Sequence, residues 1–431
     1  MSQPRFVVVG LARARCEWFG AVSAWTTSGA VPAEFIKCVS PEELRAHLAA
    51  GRRWSAALLD GGLPSVDRDL LSAVRDAGVA PIVVESPGVG RPWDDLGAAA
   101  VLPGSFDRAQ LLDSLSGCAA MVADGETVPP GPEGPQEMPT ALAPVGLVCG
   151  PGGTGVSTAA SALAQGLSAA RAVRGPVLLA DLCLKAEQAM LHDARDVVSG
   201  VQELVEAHRG QHLNADEVRA HTYRIPERGY HLLLGIRRPR YWASIRPRSF
   251  EAAFMSLRRT FGAVVCDVTA DFEDESAGGS ADVEERNLMA RTAAAQASVV
   301  FAVGQPTMKG LHSLVSLLAE LDDAGVARER VIPALSHAPR APRARAALTR
   351  TLTDLRGDAG THPAVFLPRR SVDDAFRDGV ALPPALANVL AGAWAGLLER
   401  HGQRAEAGGS EPELVSPGSL PTWTEERGGW R

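Results

Sequence analysis

Apolar and polar positions change over in short blocks along residues 6 to about 120. FVVVGLA, FIKCV, SAALLDGGLP, APIVVES and AAAVLPG are strand-like, while PEELRAHLAAG, DRDLLSAVRDAG and FDRAQLLDSL have the wider spacing of amphipathic helices. Five strands alternating with helices predict a doubly wound parallel sheet. A second series opens near Leu142. VGLVC (145–149) is apolar throughout, as a strand covered on both faces must be. VLLADLCL (177–184), FGAVVCD (261–267), ASVVFAVGQP (297–306), RVIPALSH (330–337) and the segment opening with FLPRR (366–370) continue the strand pattern. Between the two series, TVPPGPEGPQEMP (127–139) removes both helix and strand options and predicts an extended linker. The expected organisation is therefore an α/β chain with a first domain over 1–125, a linker over 126–141, a second domain over 142–402 and a polar, Gly/Pro-rich disordered tail over 403–431.

Composition adds little to this frame and excludes some alternatives. A chain of 431 residues that is 46% hydrophobic and 22% charged can bury two cores. Its formal net charge of −7 argues against a protein wrapped around nucleic acid. No apolar run approaches the roughly 18 residues of a spanning helix, and MSQPRFVVVG lacks the build of a signal peptide. A cytoplasmic protein with no stable membrane insertion is expected. Six cysteines carry no CxxC pair, so the spacing advertises neither zinc nor disulfides. Of the 43 basic residues only Lys37, Lys185 and Lys309 are lysines.

That scarcity matters at Gly150–Thr158, GPGGTGVST. The spacing fits a phosphate-binding loop, G-x-x-x-x-G-K-[ST], except that valine replaces lysine. Gly150, Gly152, Gly153 and Gly155 can turn successive amides inward on a phosphate, and Thr154, Val156, Ser157 and Thr158 lead into the helix whose N-terminal end favours an anion. Without a ligand, the same stretch is a plain strand-to-helix turn. Asp181 and Asp267 each end a predicted strand. Asp267, with Ser157, could hold a Mg²⁺-bound water or simply cap a loop.

These motifs, in this order, resemble the MinD/ParA family of P-loop ATPases. GPGGTGVST resembles the family's deviant Walker A loop, with Pro151 and Val156 where its two lysines stand. VLLADLCL resembles the strand carrying its DxD element, keeping Asp181 but placing Cys183 where the second aspartate would position the attacking water. FGAVVCD resembles the Walker B strand, and Ser336 and His337 fall where relatives show an asparagine and arginine near adenine. In the first domain, LLDGGLPSVDRDLL resembles the phosphoacceptor loop of receiver domains, with Asp60 at the acceptor position and Ser86 at the hydroxyl position. Gly10 and Leu11 stand where receivers hold their metal-binding acids, and Gly104 lies near the place of their lysine. A flavodoxin-type pseudo-receiver joined to a MinD/ParA-like domain resembles the CpaE/TadZ branch. More narrowly, GIRRPRYWASIRPR and DFEDESAGGSADVEERN resemble an actinobacterial CpaE-like group that includes septum site-determining proteins.

The resemblance implies a cytoplasmic localisation factor at poles or septa that self-associates and acts on division or Flp pilus/secretion proteins. With two lysines and a carboxylate replaced, it implies weak binding of ATP and Mg²⁺, or none, and a pseudo-ATPase. A slow nucleotide switch and a DNA-binding segregation protein are the alternatives, DNA being the less favoured. Asp60 is then a docking-domain residue that caps its loop, or a phosphoacceptor. Arg237, Arg238, Arg240, Arg246 and Arg248, interleaved with Tyr241 and Trp242, could meet nucleic acid, a protein partner or a second copy, or could form an ordinary solvated surface.

Overall fold

The computed structural model describes residues 5–13, 16–50, 52–122, 142–194, 199–273, 281–356 and 362–408. It is an α/β structure with two mainly parallel sheets. The first contains β1 (Phe6–Leu11), β2 (Ala33–Cys38), β3 (Ala56–Asp60), β4 (Ala80–Val84) and β5 (Ala100–Leu102), in the order β2-β1-β3-β4-β5. Every pairing in it is parallel. This is the doubly wound 2-1-3-4-5 arrangement, whose crevice lies where the order reverses beside β1 and β3.

The second sheet has eight strands: β6 (Val145–Cys149), β7 (Val177–Asp181), β8 (Tyr223–Ile225), β9 (Tyr230–Leu233), β10 (Ala263–Asp267), β11 (Val299–Gly304), β12 (Val331–Ala338) and β13 (Val365–Pro368). Their order is β13-β12-β11-β6-β10-β7-β9-β8. The β8–β9 pair is antiparallel and closes one edge. β8 has three residues and no buried position, and β9, though buried at three of its four positions, is too short for its apolar run to be told from a helix segment. The expected linker lies outside the described residues. The helix Pro384–Gly408 runs past the expected boundary, so residues 403–408 are helical where disorder was expected; 409–431 lie outside the described residues.

β6, β7, β10 and β11 are buried at every position, which matches their unbroken apolar runs. On one side, the helix Val156–Ala169 and the helix Pro384–Gly408 cover the sheet. Two glycines permit this approach. A Cβ on Gly146 would stand 2.3 Å from the Trp394 ring, and one on Gly166 would stand 2.4 Å from the Ala387 carbonyl oxygen. Trp394 is 1% exposed and fills the space that Gly146 leaves.

The two sheets are joined through the helix Arg68–Asp76, which follows β3. Asp67 caps this helix, its Oδ1 accepting from the Leu70 amide at 3.0 Å. Its Oδ2 accepts from Arg209 Nε at 2.9 Å and Nη2 at 2.7 Å. Arg68 Nε donates to the His208 carbonyl at 3.0 Å, and Asp69 takes both the Arg248 amide, at 2.9 Å, and the Ser249 hydroxyl. A cleft of ≈ 370 Å³ lies alongside, lined by Asp67, Arg91, Glu206 and Arg209 among others.

Trp394→Ala removes the largest buried side chain against β6 and leaves a cavity that Gly146 cannot fill. We expect a loss of about 3–5 kcal/mol in denaturant-induced unfolding of the second sheet, the range for aromatic truncation in a core. A loss below about 1 kcal/mol would contradict this packing role.

Candidate functional site

The loop between β6 and the helix Val156–Ala169 has the backbone that its glycines predicted. Gly153 (φ 78°) and Gly155 (φ 88°) occupy the left-handed region, where a side chain would strain the turn. Gly150 is required for a different reason: a Cβ there would meet the Val303 carbonyl oxygen at 2.4 Å. Thr154 is buried and closes the loop on itself, its hydroxyl donating to the Pro151 carbonyl at 2.7 Å. Gln305 Nε2 ties the loop to the end of β11 by donating to the Gly153 carbonyl at 2.9 Å. The helix has no side-chain cap at Gly155, and its first intrahelical bond runs from the Ala159 amide to the Gly155 carbonyl at 2.9 Å. The amides of Val156, Ser157 and Thr158 therefore precede the helical ladder and can face an anion.

Charge is what this cradle lacks. Val156 packs against the apolar cluster behind the loop, 2.9 Å from where a Gly150 Cβ would lie. Pro151 offers no amide proton. Lys185 is exposed on the segment after β7. A phosphate fits the loop backbone, but no loop side chain supplies the cation that a triphosphate requires.

Beside the loop, the strand register pairs Asp181 directly with Asp267. Both carboxylates are buried, and between them sits Gln188, which is itself fully buried. The Gln188 amide nitrogen donates to Asp181 Oδ2 at 2.9 Å, and its Nε2 donates to Asp267 Oδ2 at 2.7 Å and to the Ser157 carbonyl at 3.1 Å. Ser161 Oγ contacts Gln188 Oε1 at 3.1 Å and the Ser157 carbonyl at 2.9 Å. The Cys183 amide completes the set at Asp181 Oδ1, 3.2 Å away. Burial, and then the neighbouring Asp267 charge, push the Asp181 carboxyl upward from its ordinary range. Burial does the same to Asp267, against the opposing pull of Gln188, Ser157 and Cys183. Gln188 was missed in the sequence because nothing in the spacing of a lone glutamine near Lys185 reveals that it turns inward.

The fit to a Mg²⁺-nucleotide is thus divided. The backbone suits a phosphate, and Ser157 and Asp267 do come together. Yet a neutral amide already occupies one Asp267 oxygen, and Cys183 offers no carboxylate to orient a water.

The remaining expected positions lie elsewhere. Ser336 is buried and donates to the Gly304 carbonyl at 3.1 Å. His337 is exposed, with φ 52°, and lines a ≈ 410 Å³ hollow with Pro306, Pro339 and Leu348 among others. In the first sheet, Asp60 Oδ1 accepts from the Gly62 amide at 2.9 Å and from Ser86 Oγ at 2.8 Å. Leu11 is fully buried, and Gly10 lies under the Phe35 and Phe19 rings, so apolar packing fills the ground beside Asp60. Arg237, Arg238, Arg240, Arg246 and Arg248 are exposed, but Tyr241 and Trp242 pack partly against the core. Arg237 pairs with Glu203, Arg240 lies over the Tyr241 ring, and Arg248 pairs with Asp76 and Glu251. Arg248 is thereby drawn into the contact between the sheets. Among the described residues, no helix is long and apolar enough to cross a membrane.

No family model and no curated protein matches the chain. Solved structures similar to it include ParA and MinD proteins. A ParA family ATPase from Chlorobium tepidum is 15% identical over 58% of this chain and 98% of that one, with a TM-score of 0.46. The cell division ATPase MinD from Pyrococcus furiosus is 16% identical over 60% and 100%, with a TM-score of 0.42. The septum site-determining protein MinD from Pyrococcus horikoshii, complexed with Mg-ADP, is 17% identical over 62% and 99%, with a TM-score of 0.41. No function passes from these likenesses to this chain.

The raised carboxyl at Asp267 sets a pH dependence with a definite sign. A carboxyl whose folded value lies above its unfolded value favours the fold while protonated, and that contribution is lost as pH rises through the folded value. Asp267→Asn keeps an acceptor for Gln188 and removes the charge. In chelator-treated protein, the variant should gain at least about 2 °C in melting temperature over the parent at alkaline pH. The gap should close as pH falls through the carboxylate range. A gap that widens toward acid would reverse the assignment.

Proposed function

We propose that this protein is a MinD/ParA-type P-loop protein of the CpaE/TadZ branch, close to the septum site-determining group. In this reading it serves as a localisation scaffold for division or Flp pilus/secretion proteins and does not turn over ATP. The observation that carries the reading is a contrast at the end of the sheet: the loop keeps phosphate-binding backbone geometry, while the half-buried Val156 packs against the apolar cluster and, beside the loop, Gln188 Nε2 lies 2.7 Å from Asp267 Oδ2. Losing a preorganised charged or hydrogen-bonding group at a transition state costs about 2.7–4 kcal/mol. Pro151, Val156 and Cys183 replace three such groups at once.

The first sheet supports the same reading. Its 2-1-3-4-5 order suits a receiver-like domain, Asp60 is engaged as a loop cap, and the contacts of Asp67 and Asp69 with Arg209 and Arg248 hold the first sheet against the second. A nucleotide-binding form without turnover is the second reading, favoured by the hollow beside Pro306 and His337. Septal or polar placement in the cytoplasm follows from the proposed branch.

Phosphate release from Mg²⁺-ATP by the purified protein should not exceed that of Val156→Asp, which places a negative charge at the loop. Light scattering after size exclusion should give one mass with and without Mg²⁺-ATP, since Pro151 and Val156 carry no charge for a nucleotide-bridged dimer. Turnover abolished by Val156→Asp, or a dimer formed only with ATP, would overturn the scaffold reading.

A further inference from the structure

Asp181, Cys183 and Asp267 converge so that one ligand atom from each lies within 4.8 Å of the others. The fold produces this. Asp181 and Asp267 end neighbouring strands in direct register, and the chain turns at Leu182 to bring Cys183 back over them, anchored by its amide on Asp181 Oδ1 at 3.2 Å. Asp267 is 1% exposed, and among the described residues its Oδ1 accepts no hydrogen bond of ordinary length and angle. Each Asp181 oxygen receives one backbone amide, which leaves further lone pairs on that carboxylate. A buried pair of carboxylates calls for positive charge or protons. The adjoining loop supplies no cation, because Val156 has taken the place of a lysine.

We propose that Asp181, Cys183 and Asp267 form a binding site for a thiophilic divalent ion of the Zn²⁺ or Co²⁺ class, independent of nucleotide. The donor set selects the ion. Mg²⁺ prefers an octahedral shell of oxygens, whereas a thiolate with carboxylates suits a tetrahedral ion. Zn–S near 2.3 Å and Zn–O of about 2.0–2.2 Å in a tetrahedral shell set the ligand atoms roughly 3.4–3.7 Å apart, and the three atoms here lie within 4.8 Å of one another. Binding displaces to solvent the Cys183 proton and any proton that the carboxyl pair holds, so the ion meets a thiolate and two carboxylates and leaves a fourth position for water. Gln188 acts as a positioning residue: by holding Asp267 Oδ2, it leaves Oδ1 turned to the ion.

A second group, Cys38, Glu43 and His47, also brings metal-binding atoms together, but Glu43 Oε2 is engaged by the Val39 amide at 2.8 Å, and this group serves as an internal control. The test is Co²⁺ titration of reduced, chelator-treated full-length protein without nucleotide. One equivalent should produce a near-ultraviolet thiolate-to-cobalt band that Zn²⁺ displaces and excess Mg²⁺ does not. Cys183→Ser should remove the band and weaken Zn²⁺, measured by chelator competition, by at least about tenfold, since disturbing even an outer partner of a metal ligand costs 10–100-fold. Cys38→Ser should leave both unchanged. Asp267→Asn, which preserves an acceptor for Gln188, should weaken Zn²⁺ by a similar factor with unchanged circular dichroism, and it decides the matter if Cys183→Ser does not fold. Absence of the band in the parent, its survival in Cys183→Ser, its loss in Cys38→Ser, or unaltered Zn²⁺ affinity in Asp267→Asn would overturn the site.

Discussion

Two carboxylates held side by side away from water are the constraint around which the second sheet's functional end is arranged. Parallel pairing of β7 with β10 places Asp181 against Asp267, and neither is free to turn toward solvent. The interior tolerates them because three backbone or side-chain N–H groups converge on three of their oxygens, two of these groups from Gln188. The price is a raised affinity of both carboxyls for protons. A carboxylate pair held in this way favours a proton or a bound cation over two bare charges.

Away from that end, the architecture depends on close apolar packing and on a polar seam between the sheets. The seam is economical: Asp67 both caps its own helix and receives Arg209, while Asp69 serves the first turn of the helix Pro247–Thr260. Because the Asp67–Arg209 pair is largely withdrawn from water, salt screens it less than it does the exposed pairs of the Arg237–Arg248 segment. The arginines of the chain thus serve two ends, a seam between the sheets with Arg209 in its withdrawn part and Arg248 at its exposed edge, and a solvated surface through Arg238, Arg240 and Arg246.

Much of the fold was legible because parallel strands covered on both faces must be apolar throughout, as β6, β7, β10 and β11 are. The loop was legible because Gly153 and Gly155 need positive φ and Gly150 needs room beside Val303. What escaped were features set by distant partners. The β8–β9 hairpin is made of strands of three and four residues, too short for a period to be read from them. Gln188 acquires its role from Asp267 and Ser157 through a turn whose direction a linear reading does not fix. Cys183 and Asp267 become neighbours through strand register, and for that reason the cysteine spacing carried no metal motif. The C-terminal helix outran its expected end because the polar residues there are compatible with helix once it has been started by Leu386, Leu390 and Trp394 against the sheet.

The pairing of Gly146 with Trp394 carries a consequence for how the sequence can vary. The indole ring occupies the volume that any side chain at 146 would need, with 2.3 Å as the separation a new Cβ would face. A larger residue at 146 therefore fits only with a smaller one at 394, and a smaller residue at 394 beside an unchanged Gly146 opens a void. Although they are far apart in the chain, the two positions share one volume, one in a central strand and the other in the helix that covers it.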